Sequence, residues 1–204
     1  VVGNKPLVLH DSAYINTWNE EFVVHKFKYY ITDVTLYYHK GTKIHVIKDY
    51  FLIDEEDSLS KQITLPSNLK DITAINFVVG VDSVTSNSGV QTNNLDPLKG
   101  MFWTWNTGYV FAKLEGQSPQ STAPGKYFSY HVGGYKQGEN AIKKISLTVM
   151  PSQIHGQTIV IKADVLAWFK GNEEVHIHKT PICHQPGNLA LQIAANYSKM
   201  FSIE

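Results

Sequence analysis

Apolar and polar residues alternate along most of this chain with a period of two. Ile145, Leu147 and Val149 alternate with Lys144, Ser146 and Thr148, and Ile75, Phe77, Val79 and Val81 share one face of another run. Residues 21–31 and 34–39 are dominated by β-branched and aromatic side chains, and Asp33 between them predicts two separate strands. The turn-like Lys40-Gly41-Thr42 then introduces a further strand over 43–53. Residues 158–169 set Ile159, Ile161, Ala163, Val165 and Ala167 against Lys162 and Asp164. Strands of this kind bury one face each, so eight or more of them predict an all-β fold, an antiparallel β-sandwich. A helical pattern stands at the C-terminus, where Pro186-Gly187-Asn188 starts a short helix with Leu189, Ile193, Tyr197 and Phe201 near one face. Two long polar loops, 83–97 and 116–126, interrupt the rhythm and are the natural places for binding or mobility.

Composition narrows the classes. The 204 residues show no repeat and no shift of composition, which predicts a single domain over 1–204. Equal numbers of acidic and basic residues, 18 of each, argue against a nucleic-acid protein. No apolar run reaches the length of a membrane span. The chain starts at Val1 without a signal peptide, as expected of a mature or trimmed form, and a lipid anchor upstream is compatible with it. The single cysteine, Cys183, excludes an internal disulfide and a cysteine-rich zinc site. The chain carries no nucleophile elbow, phosphate-binding glycine loop or His-Glu-x-x-His motif, so we expect a binding protein rather than an enzyme.

Three groups of residues carry candidate chemistry. The first is aromatic: Phe102, Trp103, Trp105 and Tyr109 crowd between Gly100, Gly108 and Gly116, where rings and backbone can approach closely. The second is imidazole. Of nine histidines, His25, His39 and His45 lie in lysine-flanked strand patterns that read as solvated faces, and His10 and His155 stand alone near turns. His131 precedes Gly133-Gly134, and His176 and His178 form the chain's His-x-His pair. On an extended strand, alternate side chains share a face, so both imidazoles could reach one ion. His184 follows closely, and Cys183 as a thiolate would add a soft ligand. The third group is oxygen-rich: Asp82, Asn87 and Asp96, with Asn93 and Asn94, offer the ligands calcium prefers, although turns use the same residues.

The chain resembles the MbnP-like copper-binding family of exported bacterial proteins. The segments that carry the resemblance are Gly100-Met101-Phe102-Trp103-Thr104-Trp105-Asn106-Thr107-Gly108-Tyr109 through Gly116, Tyr130-His131-Val132-Gly133-Gly134, the strands around Tyr29-Tyr30-Ile31 and Phe77-Val78-Val79, and Ala194-Ala195-Asn196. The resemblance implies a β-sandwich in the bacterial periplasm or on the cell surface, often lipid-anchored. It also implies copper held by histidines together with a tryptophan that a dihaem peroxidase-like partner has oxidised. His131, His176 and His178 are then the candidate ligands, and Trp103 or Trp105 the candidate for oxidation. One departure stands out: no histidine lies within or beside the Trp103–Trp105 segment. A second reading therefore stays open, a non-catalytic surface module in which Phe102, Trp103, Trp105 and Tyr109 form an aromatic platform for a carbohydrate, peptide or protein. A hydrolase would instead need carboxylates or a nucleophile–base pair converging in a cleft.

Overall fold

The computed structural model describes residues 1–47, 49–65, 68–106 and 108–204, with the backbone alone described at 40 and 45–47. Its strands are β1 (Ala13–Ile15), β2 (Glu21–Tyr38), β3 (Lys43–Ile47), β4 (Phe51–Asp54), β5 (Ile72–Val79) and β6 (Phe102–Trp103). They continue with β7 (Gly108–Gln117), β8 (Tyr127–Gly133), β9 (Lys143–Thr148), β10 (Ile161–Ala163), β11 (Ile182–Cys183) and β12 (Phe201–Ile203). The fold is all-β and sandwich-like, built on a curled sheet of order β11-β8-β7-β2-β5-β9, with β10 and β12 paired separately. Among the described residues, two α-helices, α1 (Ser83–Asn87) and α2 (Asn188–Tyr197), accompany it. Among the described residues no helix is long and apolar enough to cross a membrane.

The spine is β2, one strand of 18 residues where the pattern predicted two. Its first half pairs with β7 from Val23 to Tyr29, and its second half pairs with β5 from Ile31 to Tyr38. Asp33 marks the handover. It adopts a left-handed φ of 58° inside the strand, and the β5 register shifts between Thr32 and Thr35. A bulge of this kind bends a strand without ending it, so the turn residue became a hinge in the sheet's curvature. The alternation elsewhere holds. Ile75, Phe77, Val79 and Val81 are buried, as are Ile145 and Val149, while Lys144, Ser146 and Thr148 are exposed.

Other elements depart from the pattern for local reasons. The 158–169 run keeps strand only at β10. Asp164 then accepts hydrogen bonds from the backbone N–H groups of Leu166 and Gly3 and caps a 3₁₀ turn over Val165–Trp168, which buries Val165 and Trp168. The 43–53 run is two strands on either side of residue 48, which lies outside the described residues. The 83–97 loop contains α1 and a 3₁₀ turn at Asn93–Leu95. Helix α2 starts after Gly187, as the sequence implies, but ends at Tyr197, and Phe201 belongs to β12. The pairing of β11 with β8 is parallel, an exception to the antiparallel expectation.

Close backbone approach holds β2, β7 and β8 together at Gly116. A Cβ there would lie 1.9 Å from the Val23 carbonyl oxygen and 2.7 Å from the Phe128 ring. Neither the carbonyl, fixed in the β2–β7 ladder, nor the fully buried ring can retreat. Gly116→Ala is therefore expected to lower stability by about 3 kcal/mol or more. Urea unfolding checks this, and an unchanged midpoint would contradict the packing described.

Candidate metal centre

The candidate centre starts in the turn between β1 and β2. Asn16 organises it: its side-chain oxygen accepts from the backbone N–H groups of Trp18 and Glu20, and its amide nitrogen donates to Glu20 Oε2 at 2.8 Å. Asn19 takes the left-handed conformation that closes the turn. The result presents Trp18 and Glu20 toward a segment more than 150 residues later. There, His176 and His178 do not lie on a strand. They sit in a turn in which the His176 carbonyl accepts from Thr180 N, with Ile177 fully buried between them as an anchor.

Glu20 joins the two segments. Its carboxylate is 4% exposed and accepts four hydrogen bonds: from Asn16, from the backbone N–H groups of Ile177 and His178 at 2.9 Å each, and from His178 Nδ1 at 2.7 Å. Burial alone would raise its pKa, but these donors outweigh burial and hold the carboxyl below its ordinary value. The bond from Nδ1 has a chemical consequence. With its proton on Nδ1, the neutral His178 imidazole presents Nε2 as the lone-pair nitrogen, the arrangement that a carboxylate imposes on metal-binding histidines.

His176 has the complementary property. Its imidazole meets the His178 ring edge to face, centroids 5.3 Å apart, and packs on Trp18 at 4.4 Å. Both of its ring nitrogens are buried without a hydrogen-bond partner, although Nε2 stands 3.5 Å from the mostly exposed Glu174 carboxylate. Orphaned buried nitrogens cost free energy, and a bound cation would remove that cost at one of them. Among the described residues, this is the group of three or more His, Cys, Asp or Glu side chains whose ligand atoms lie within 4.8 Å of one another: Glu20, His176 and His178. The donor set fits a transition metal that favours nitrogen. Trp18 closes one side, its Nε1 donating to the Phe169 carbonyl at 2.9 Å and Lys170 Nζ lying 5.3 Å from its ring centre.

The remaining sequence candidates fall elsewhere. His131 does not join His176 and His178; it bonds Glu115 and stacks on His184. Cys183 is buried, with its thiol pushed up to about 11 by burial, and its Sγ faces the Gln185 carbonyl rather than joining the Glu20–His176–His178 group. Asp82, Asn87 and Asp96 form no oxygen cage. Asp82 caps α1 through Thr85 and accepts from Tyr50, Asn87 joins Ser83 to Tyr135, and Asp96 caps the next turn at Leu98. The four aromatics do not present one face either. Trp103 and Tyr109 are buried, Phe102 is half-buried and Trp105 is 62% exposed, its ring tilted 49° from that of Trp103. Trp103 packs where Gly133 has no side chain, so close approach to glycine is realised there, but its Nε1 finds no acceptor. His10 and His25 stack on each other at 5.0 Å, and the side chain of His45 lies outside the described residues.

Sequence reasoning missed Trp18 and Glu20. Asn16-Thr17-Trp18-Asn19-Glu20 reads as an ordinary turn, and nothing in its spacing points to residues 176–178.

Comparison with known proteins agrees with the fold. The model of the family described as MbnP matches residues 1–185. MbnP from Methylosinus trichosporium, a solved structure, is similar with a TM-score of 0.61 at 15% identity, over 85% of this chain and 76% of that chain. At that identity the likeness speaks for the fold. A search of curated proteins finds no match.

Removal of the Glu20 carboxylate tests the junction. Glu20→Ala would leave backbone and side-chain donors unsatisfied and should cost about 3 kcal/mol in urea unfolding. The folded carboxyl titrates below the unfolded one, so its contribution is complete above about pH 5 and fades as pH falls through the lowered folded value. The stability gap between the native chain and Glu20→Gln should therefore narrow on acidification. A gap that stays constant down to about pH 3 would contradict this.

Proposed function

The chain belongs to the MbnP family, and from that membership and the geometry around Glu20 we propose that it captures or hands over copper through His176 and His178. The observation that carries the proposal is His176, whose two ring nitrogens are buried without a hydrogen bond beside a second imidazole. Copper binds such nitrogen sites more tightly than the neighbouring divalent metals. Glu20 would act as support rather than ligand, because its four accepted hydrogen bonds already occupy the carboxylate. It would fix the tautomer of His178 and the angle between the two rings. This is a binding role with no turnover of its own, and a periplasmic or cell-surface setting belongs to the same proposal.

The family resemblance also brings an oxidised tryptophan and a modifying dihaem partner into consideration. In this chain the tryptophan in ring contact with the cluster is Trp18, not Trp103 or Trp105. We therefore assign to Trp18 the place that the resemblance alone would give to the aromatic segment. Its partly buried indole lies against a ligand ring, where a change in its chemistry would be felt by the ion.

Elemental mass spectrometry after copper loading and desalting tests the proposal. At about pH 8 the native chain should retain about one more copper per chain than the His176→Ala/His178→Ala variant. That difference should disappear at about pH 5, where imidazoles protonate and cease to be ligands. Equal retention by the folded variant would overturn the assignment.

A further inference from the structure

The edge of the sheet at β11 is held by little backbone. β11 pairs in parallel with β8 through two residues, Ile182 beside Ser129 and Cys183 beside Tyr130, and the Ser129 N–H donates to the Pro181 carbonyl at 2.8 Å. Parallel pairing is slightly the weaker kind per residue. Cys183 is buried but Ile182 is 43% exposed, so one small side chain anchors the strand in the core. Side chains on the outward face supply further contacts.

Sheet register assembles them. The β7–β8 ladder sets Glu115 opposite Ser129 and Lys113 opposite His131, and His184, the residue after β11, arrives beside His131. The two imidazoles stack with centroids 4.4 Å apart and 28° between their planes. Ser129 Oγ lies 3.1 Å from His131 Nε2 and 2.8 Å from His184 Nε2, while His131 Nε2 lies 2.6 Å from Glu115 Oε1. Proton roles follow from the carboxylate. The bond from His131 holds Glu115 well below the usual carboxylate range, at about 2, so it is ionised and accepts from the His131 Nε2–H. The Ser129 hydroxyl then keeps its own proton for His184, whose Nε2 accepts it as a neutral imidazole.

We propose that Ser129, His131 and His184 form a pH-sensitive latch, which fastens β11 to the sheet while His184 is neutral and releases it on acidification. A proton on His184 Nε2 reverses the Ser129 bond and sets an imidazolium face to face with a second imidazole. The surroundings offer it one carboxylate, Glu115, which already faces His131, Lys113 at 3.8 Å and Lys26 at 3.5 Å. Burial, His131 and Lys113 accordingly outweigh Glu115 and lower the pKa of His184 in the attached state. A detached His184 has its ordinary value, about 6.5, and takes the proton first. Attachment is therefore complete above about pH 6.5 and weakens as pH falls toward the lowered value. The latch lies between the His176–His178 turn and α2, and its opening frees the segment that follows the candidate metal centre.

Cys183, the chain's single cysteine, lies on β11 and reports its release. Labelling of the metal-free folded chain with dipyridyl disulfide, referred to the rate for the urea-unfolded chain at the same pH, gives the protection of the thiol. Protection should fall at least about fivefold between about pH 7.5 and about pH 5.5. His184→Gln, at an exposed position, still accepts from Ser129 but does not titrate, and should hold protection within about twofold. Unchanged protection in the native chain would overturn the latch, as would an equal fall in His184→Gln. With no metal present, neither outcome depends on whether His176 and His178 bind copper.

Discussion

A buried carboxylate must find donors for its charge, and much of this molecule's functional architecture follows from how Glu20 does so. Water is excluded from it, so the donors come from Asn16 in its own turn and from the backbone and ring of a segment at 177–178. That requirement joins the entry of β2 to the loop that leads through β11 into α2. It also engages Nδ1 of His178, leaving Nε2 free of the carboxylate, with the His176 ring 5.3 Å away edge to face. The hydrogen bonds that satisfy the carboxylate thus also orient the His178 imidazole.

The curled sheet gives this junction its platform. β2 changes partner from β7 to β5 at the Asp33 bulge, and the glycine at 116 lets β2, β7 and β8 approach closely. The packed face of β8 carries Phe128, Tyr130 and Val132, while its outward face carries Ser129 and His131. The same strand thus packs the core with one face and holds His131 against Glu115 and His184 with the other. Lys26 and Lys113 stand beside the Glu115 carboxylate, whereas no such cation is bonded to Glu20 among the described contacts.

Much of the fold was legible in the sequence because half-buried strands write their burial directly as alternation. The family was legible through the Trp103 segment and Tyr130-His131-Val132-Gly133-Gly134. Where the reading failed, a three-dimensional cause prevailed. Asp33 looked like a break but bends a continuous strand, and Asp164 capped a 3₁₀ turn within an alternating run. His176 and His178 were paired on an expected strand geometry, which the structure replaces with a turn held by Glu20. Trp18 and Glu20 were invisible because contacts across more than 150 residues leave no local spacing. His131 was expected beside His176 and His178, but its partners are Glu115 and His184, set by strand register rather than by any motif.

The central claim is that an ion sits between His176 and His178, with Trp18 alongside. Anomalous diffraction at the copper edge from copper-loaded crystals tests it most directly. The account predicts a peak within bonding distance of one ring nitrogen of His176 and of Nε2 of His178, with the Glu20–Nδ1 bond intact. A loaded, folded chain that shows no copper there, with its density beside Trp103 and Trp105 instead, would contradict it.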